Sequence, residues 1–412
     1  MSDFIMAEVN GRTIPVEDKI FGISRKATEM IAERGKAAVT NGTIGALLDD
    51  EGNLVVLSSV VDVLRHLEPR HYAAYAPIGG TTKFRKYIQE AAFGSYKPKA
   101  FTEAIATPGG TGAIRNAVDN YSRPGDAVLT SDWHWANYNS IANELGRHIE
   151  NFLLFDEDRN FNHGDFAAKV EELLKDQESL LIILNTPAHN PTGYSMSNDD
   201  WEKVLGVVRA DAYKNKRITL LVDVAYIDFA GDSEKYRQFL PLLEDLPQNI
   251  LPIVAYSLSK TFTLYGMRCG AMICMAPNRE IADEFVRVCQ YSSRAAWSNC
   301  TRVSMEVLTK IYQDPALLKK VNDERIYYRD VLAKRGKAFE ENAEKVGLRI
   351  VPFDSGFFVS IPCPNPEEAA ERLQKDGIFL IPLAKGLRLS VASISEEKCR
   401  MLPEKILAAI KG

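Results

Sequence analysis

The sequence predicts an α/β protein: a large domain on a mostly parallel seven-stranded sheet flanked by helices, and a smaller α/β domain after it. Three observations carry this expectation. Between about residues 100 and 280, short β-branched or aliphatic runs alternate with longer amphipathic segments. The alternation stops over residues 283–344, where the pattern is helical, and a new strand and helix unit begins at 348. The length, 412 residues, exceeds one compact core, while 46% hydrophobic and 25% charged residues are usual for a globular protein.

From the N-terminus, residues 1–45 hold one helix candidate, 23–33, and are expected to pack on the smaller domain or on a partner. The strand candidates then follow: AIAT (104–107) before Pro108, AVLTS (127–131) after Pro124 and Gly125, FLLF (152–155), LLIIL (180–184), ITLLVDV (218–224), PIVAYS (252–257) and GAMICM (270–275). Each is a short apolar run bounded by turn residues, as a strand covered on both faces requires. Helices fill the gaps, among them 112–121 after a glycine turn and 197–214, which opens on the capping residue Ser197 and carries an apolar stripe. The last unit reads RIVPFDSGFFVSIP (349–362), a helix PEEAAERLQKD (366–376), IFLIPL (378–383), LRLSVA (387–392) and a closing helix. The large domain is expected over 46–325 and the small one over 326–412, docked without a linker.

Fifty Lys and Arg against 55 Asp and Glu give a net charge of −5 with both signs interspersed, which argues against a nucleic-acid backbone binder but leaves room for a small basic pocket. The six cysteines all follow Arg268 and show neither CxxC spacing nor a nearby histidine in ligand register, so no metal site or disulfide framework is expected. The first twelve residues carry Asp3 and no long apolar stretch, and the longest aliphatic runs are strand-sized; neither a leader nor a membrane span is expected, and a cytoplasmic location follows.

The chemistry gathers at the ends of the strands. In AYSLSKTFTLYGMRCG (255–270), Lys260 follows a strand among hydroxyl groups, with Arg268 eight residues on. Open α/β sheets bind ligands at that edge. A lysine partly removed from water beside another cation loses proton affinity and becomes a nucleophile able to form a Schiff base. In VDVAYIDF, Asp223 ends an apolar strand and Tyr226 lies three residues on. Such a carboxylate needs a cationic partner, and two fit: a protonated pyridine nitrogen or a structural arginine. In TPGGTGAIRN (107–116), Gly110, Thr111 and Gly112 aim backbone N–H groups at an anion such as phosphate, without the spacing of a dinucleotide or nucleoside triphosphate loop. NTPAHNPTGY places Asn190 in a proline-stiffened loop, and Trp135 of SDWHWANYN either stacks on a planar ring or packs in the core.

TPGGTGAIR, NPTG, DVAY and SLSKTFTLYGMRCG, in this order, resemble the fold type I pyridoxal phosphate aminotransferases of class I, nearest the aspartate and aromatic aminotransferase branch, from about Gly45 to Arg388. The resemblance implies that Lys260 holds pyridoxal 5'-phosphate (PLP) as a Schiff base. It implies Asp223 on the pyridine nitrogen, Tyr226 and Asn190 on the ring oxygen, and Trp135 on the ring face. Phosphate contacts would come from Gly110, Thr111, Ser257 and Arg268, with Tyr75 of YAPIGG reaching in from the second subunit of a homodimer. Arg388 of KGLRLSVAS would grip the substrate α-carboxylate by a bidentate pair beside Gly45, and Arg294 of YSSRAAWSNC a distal carboxylate across the dimer interface.

The implied activity is transfer of an amino group from an L-amino acid, dicarboxylic such as aspartate, with aromatic ones as a second substrate class, to a 2-oxo acid such as 2-oxoglutarate, with catalysis by Lys260, Asp223 and Tyr226. Two departures stand out. Cys300 replaces a usual proline after the Arg294 segment, and Tyr138 stands where a histidine often supports the pyridine-binding aspartate, with His189 a second candidate for that support. A β-lyase or decarboxylase on the same scaffold remains the alternative, since the cofactor residues do not decide which Cα bond breaks. A PLP-binding transcription regulator would need a DNA-binding domain, and only 44 residues precede Gly45. A nicotinamide dehydrogenase lacks its fingerprint here.

Overall fold

The computed structural model describes residues 6–10, 12, 14, 15 and 17–412; Asp3, used above in reading the N-terminal segment, lies outside them. Twelve strands occur among these residues: β1 (Thr40–Asn41), β2 (Phe101–Thr107), β3 (Ala127–Ser131), β4 (His148–Phe152), β5 (Ser179–Asn185), β6 (Arg217–Asp223), β7 (Ile250–Ser257), β8 (Gly270–Ala276), β9 (Phe358–Pro362), β10 (Ile378–Phe379), β11 (Ile381–Leu383) and β12 (Gly386–Ser390). Seven of them form the large sheet in the order β2-β8-β7-β6-β5-β3-β4. Only β8 runs against its neighbours.

The apolar runs form central strands because both of their faces are covered. Leu180, Ile182 and Leu184 enter one core, while Leu181 and Ile183 enter the other, the two-residue period of a pleated strand between two helical layers. One strand differs from its expected position: β4 is HIENF, sharing only Phe152 with the expected FLLF. As the sheet edge it has one neighbour, β3, and His148 and Asn151 stay exposed, so polar residues serve there. Helix boundaries also moved. The helix expected from 112 begins three residues earlier, as Gly109–Tyr121, and the one expected over 197–214 ends at Val208.

Beyond the sheet, helix Pro315–Val346 serves both halves of the protein. Its Arg325 Nε donates to the Thr261 carbonyl at 2.8 Å, whereas Ala338, Phe339 and Ala343 belong to the core of the C-terminal unit. That unit carries the antiparallel sheet β11-β12-β9. The N-terminal helix Lys19–Arg34 and β1 lie against it, with β1 pairing parallel to β10 and Ile23 and Ala27 packing near Phe379. Among the described residues no helix is long and apolar enough to cross a membrane, and no cluster of side chains could hold a metal ion.

Candidate active site

Strand register builds the site. Asn185 lies opposite Asp223, Asp223 opposite Ala255, Ser257 opposite Gly270, and Gly270 opposite Thr107. The ends of β5, β6, β7 and β2 and the start of β8 therefore share one edge, and the loops leaving it carry the chemistry. Close approach there requires glycine: a Cβ on Gly270 would stand 2.5 Å from the Tyr256 carbonyl oxygen and 2.9 Å from the Gly109 carbonyl carbon.

Lys260 occupies the short helix Leu258–Thr261 that follows β7. Its Nζ donates to the Gly45 carbonyl at 2.6 Å and lies 4.7 Å from the centre of the Tyr265 ring and 5.7 Å from that of Tyr226. Burial first, then the Arg268 and Arg388 guanidiniums, pushes its amine down to about 7 against the opposing pull of Asp223. An amine so placed is largely uncharged, hence nucleophilic, just above neutrality. In cofactor-free protein, acylation of Lys260 located by peptide mapping is expected to rise through a midpoint near 7, well below that of ordinary lysines. A midpoint near 10 would contradict the site's electrostatics.

Asp223 is buried at the end of β6. Its Oδ2 accepts from the Tyr138 hydroxyl at 2.7 Å and its Oδ1 from the Ala225 N–H at 3.2 Å. Burial pushes the carboxyl up, while the Tyr138 bond, the Ala225 amide and the Lys260 charge oppose it. The support of Asp223, open between two residues in the sequence, thus falls to Tyr138. Burial holds that phenol well above its usual range, so it remains a donor. His189 instead pairs its Nδ1 with the Thr192 hydroxyl at 2.8 Å, and burial pushes it down to about 3, leaving it neutral.

The glycine turn opens helix Gly109–Tyr121, whose N-terminus has no side-chain cap. Gly109 has φ +71°, and a Cβ there would lie 2.8 Å from Arg268 Nη2; at Gly110 it would lie 3.6 Å from Ser257 Cβ. Gly110, Thr111, Ser257 and Arg268 therefore border one cradle of uncapped N–H groups, a hydroxyl and a guanidinium, the donor set that a phosphate takes. Arg268 adopts φ +48°, and its Nη1 bonds Ser259 Oγ at 3.1 Å and the Tyr265 carbonyl at 3.0 Å.

Arg388 is buried on β12 of the three-stranded sheet. Its Nη2 donates to the Thr43 carbonyl at 3.0 Å, its Nη1 reaches Asn190 Oδ1 only at 3.4 Å, and its Nε has no partner. Burial pushes the guanidinium down to about 10, still charged at neutrality. A buried cation with an unused donor suits a carboxylate ligand. Asn190 also meets the Tyr226 side chain, whose phenol burial raises.

Trp135, half-buried, stands edge-on to Tyr138 with ring centres 5.6 Å apart. Tyr75 and Arg294 do not join the others within one chain. Tyr75 is 88% exposed, and the exposed Arg294 bonds Ser298 Oγ at 2.5 Å. Sequence reasoning missed Tyr265, whose hydroxyl accepts from the Leu47 N–H at 3.0 Å, and Asn185, whose Oδ1 accepts from the Asn190 N–H at 2.6 Å. Tyr265 stood inside the lysine segment, five residues past Lys260, and Asn185 directly after LLIIL.

A desolvated lysine facing a buried carboxylate, between an anion cradle and a guanidinium with an unused Nε, suits enzymes that handle carbonyl compounds through a lysine amine. The chain belongs to the aminotransferase class I and II family, which it matches over residues 38–406. It is 30% identical to an aromatic-amino-acid aminotransferase of Pseudomonas aeruginosa over 88% of this chain and 90% of that one. With an aspartate aminotransferase of Salmonella typhi it shares 28% identity over 89% and 92% of the two chains. A crystal structure of an aminotransferase from Anaerococcus prevotii superimposes with a TM-score of 0.96 at 36% identity, covering 99% of this chain and all of that one. An aromatic-amino-acid aminotransferase of Burkholderia pseudomallei, solved covalently bound to PLP, shares the fold with a TM-score of 0.78 at 22% identity, over 98% of this chain and 100% of that one.

Proposed function

We propose that this protein is a PLP-dependent transaminase that moves the amino group of an L-amino acid, dicarboxylic such as aspartate and also aromatic, to a 2-oxo acid such as 2-oxoglutarate. The observation that carries it is Lys260, desolvated between Arg268 and Arg388 and facing Asp223. When bound, PLP supplies an electron-accepting ring that takes up the charge left on the substrate Cα, chemistry no side chain here provides.

The chain's own residues do the rest. Gly110, Thr111, Ser257 and Arg268 would hold the phosphate. Asp223, which accepts from Tyr138, would keep a proton on the ring nitrogen, and Tyr226 and Asn190 would hold the ring oxygen. Trp135 would pack on the ring. Arg388 fixes the substrate α-carboxylate beside Gly45, which orients the Cα–H bond, and Lys260 Nζ carries the Cα proton as base and then acid.

The same reading makes the protein a homodimer with active sites at the interface, to which the partner subunit's Tyr75 and the partner subunit's Arg294 contribute. The exposure of Tyr75 and Arg294 in the single chain, beside the 81% exposed Tyr291, supports it. It also divides the chain into residues 1–45, 46–325 and 326–412. Six buried free thiols agree with a reducing cytoplasm.

The test is the absorption spectrum of the holoenzyme before and after L-aspartate, L-phenylalanine or L-cysteine, with no oxo acid added. Conversion of the bound cofactor to its amine form by aspartate and by phenylalanine is expected. Pyruvate released from cysteine without that conversion would move the assignment to a lyase. Arg294→Ala is expected to lower kcat/KM for aspartate about 100-fold, the worth of one charge-assisted pair, with phenylalanine changed less than about threefold. An equal loss for both would remove the role of Arg294.

A further inference from the structure

The hairpin that carries Arg388 meets the parallel-sheet layer at its tip. Ile381 pairs with Arg388 and Leu383 with Gly386, so Ala384 and Lys385 form a two-residue turn, with Lys385 three residues from Arg388. Leu383 packs against the main core, and the Lys385 ammonium pairs with Asp132 Oδ2. Asp132 directly follows β3 and precedes Trp135 by three residues.

That carboxylate is also held by groups other than the lysine. Its Oδ1 accepts from the Leu154 N–H at 2.9 Å and the Trp133 N–H at 3.0 Å, and the Asp132 N–H donates to the Phe152 carbonyl at 2.8 Å. The side chain is 11% exposed, against 44% for Lys385, so the acid is the more enclosed member of the pair. Among the described residues this is the sole ion pair joining the seven-stranded sheet layer to the three-stranded sheet. The other two long-range pairs that reach the C-terminal unit from outside, Lys19–Glu367 and Arg335–Asp50, attach it to the first 50 residues.

Strand β9, on the other side of β12, has its own anchor. Ser360 Oγ donates to the Pro191 carbonyl at 2.9 Å and the Ser195 N–H to Asp354 Oδ2 at 2.8 Å. Arg388 thus lies between an anchor at the Asn190 loop and one at the Trp135 loop, and only the second is an ion pair.

We infer that Lys385 and Asp132 are positioning residues for substrate binding, whose ion pair pins the Arg388 hairpin to the loop bearing Trp135. The inference rests on reading Arg388 as the α-carboxylate site. Without the pair the hairpin keeps its strand pairing but its tip comes free, and Arg388 is then presented to the carboxylate less often. Substrate affinity falls while the chemistry, once substrate is bound, does not. Every amino acid and oxo acid carries that carboxylate, so all substrates suffer alike. Half-exposed, the pair is also weakened by salt.

The test compares the wild-type holoenzyme with Lys385→Met, Asp132→Asn, the double variant and Lys385→Arg, using aspartate and phenylalanine. Each single loss is expected to raise both KM values about tenfold with kcat and cofactor affinity within about twofold; the double variant resembles the singles, and Lys385→Arg retains low KM. Amide exchange over residues 381–390 is expected to quicken in the Met and Asn variants. Unchanged KM and unchanged exchange in both would overturn the inference. So would a rise in KM for aspartate alone in Lys385→Met with Asp132→Asn silent, since Lys385 would then touch the substrate side chain itself. Failure of the wild type to transaminate either amino acid would instead overturn the function, and the exchange measurement would still judge the joint.

Discussion

Lys260→Ala is expected to slow transamination of aspartate by at least about 10⁴-fold, because the variant lacks the amine placed to move the Cα proton. The loss should fall on kcat. Arg388, Arg268, Ser257 and the glycine turn stay in place, so substrate and PLP should still bind, the latter through its phosphate. Stability should be kept or raised: Lys260 is an amine forced toward neutrality by burial and two guanidiniums, and among the described residues its Nζ hydrogen-bonds the Gly45 carbonyl alone. The measurement is a single-turnover absorbance change with aspartate, with and without a small primary amine, alongside a melting curve. Substantial turnover without added amine would remove Lys260 from the proton transfer.

Arg388→Ala should rank second, lowering kcat/KM about 10³-fold for aspartate and phenylalanine alike. Truncating one member of a buried, hydrogen-bonded charge pair costs about 2–5 kcal/mol, and each 1.4 kcal/mol is a factor of ten. The guanidinium is 4% exposed, lies 4.6 Å from the centre of the Phe358 ring, and keeps Nε unpartnered for a second parallel bond. Arg388→Lys should recover only part of the loss, because an ammonium cannot form the planar two-bond pair. Steady-state kinetics with both amino acids decide it. A loss confined to aspartate would reassign Arg388 to the side-chain carboxylate and leave the α-carboxylate without a partner.

Much of this was legible in the chain because it is local chemistry. The run LLIIL forms a buried strand wherever two apolar layers flank it, and a glycine turn before a helix aims N–H groups outward whatever surrounds it. The lysine, the aspartate, the asparagine and Arg268 each sat in a segment whose neighbours marked a strand end or loop. The weak places were those where neighbours mislead. FLLF resembles a strand more than HIENF does, yet edge position selected HIENF.

Residue order alone therefore settled the α/β class and placed Lys260, Asp223 and Asn190 in segments at strand ends. Folding had to decide which of these groups meet. Lys260 reaches Gly45 across 215 residues, Arg388 reaches Asn190 across 198, and Tyr138 reaches Asp223 across 85. Choosing Tyr138 over His189, lowering the Lys260 amine and joining Lys385 to Asp132 all belong to that second stage. The reason is physical: propensity and turn chemistry act over a few residues, whereas desolvation and Coulomb interaction depend on distances through space that exist only once the chain has closed.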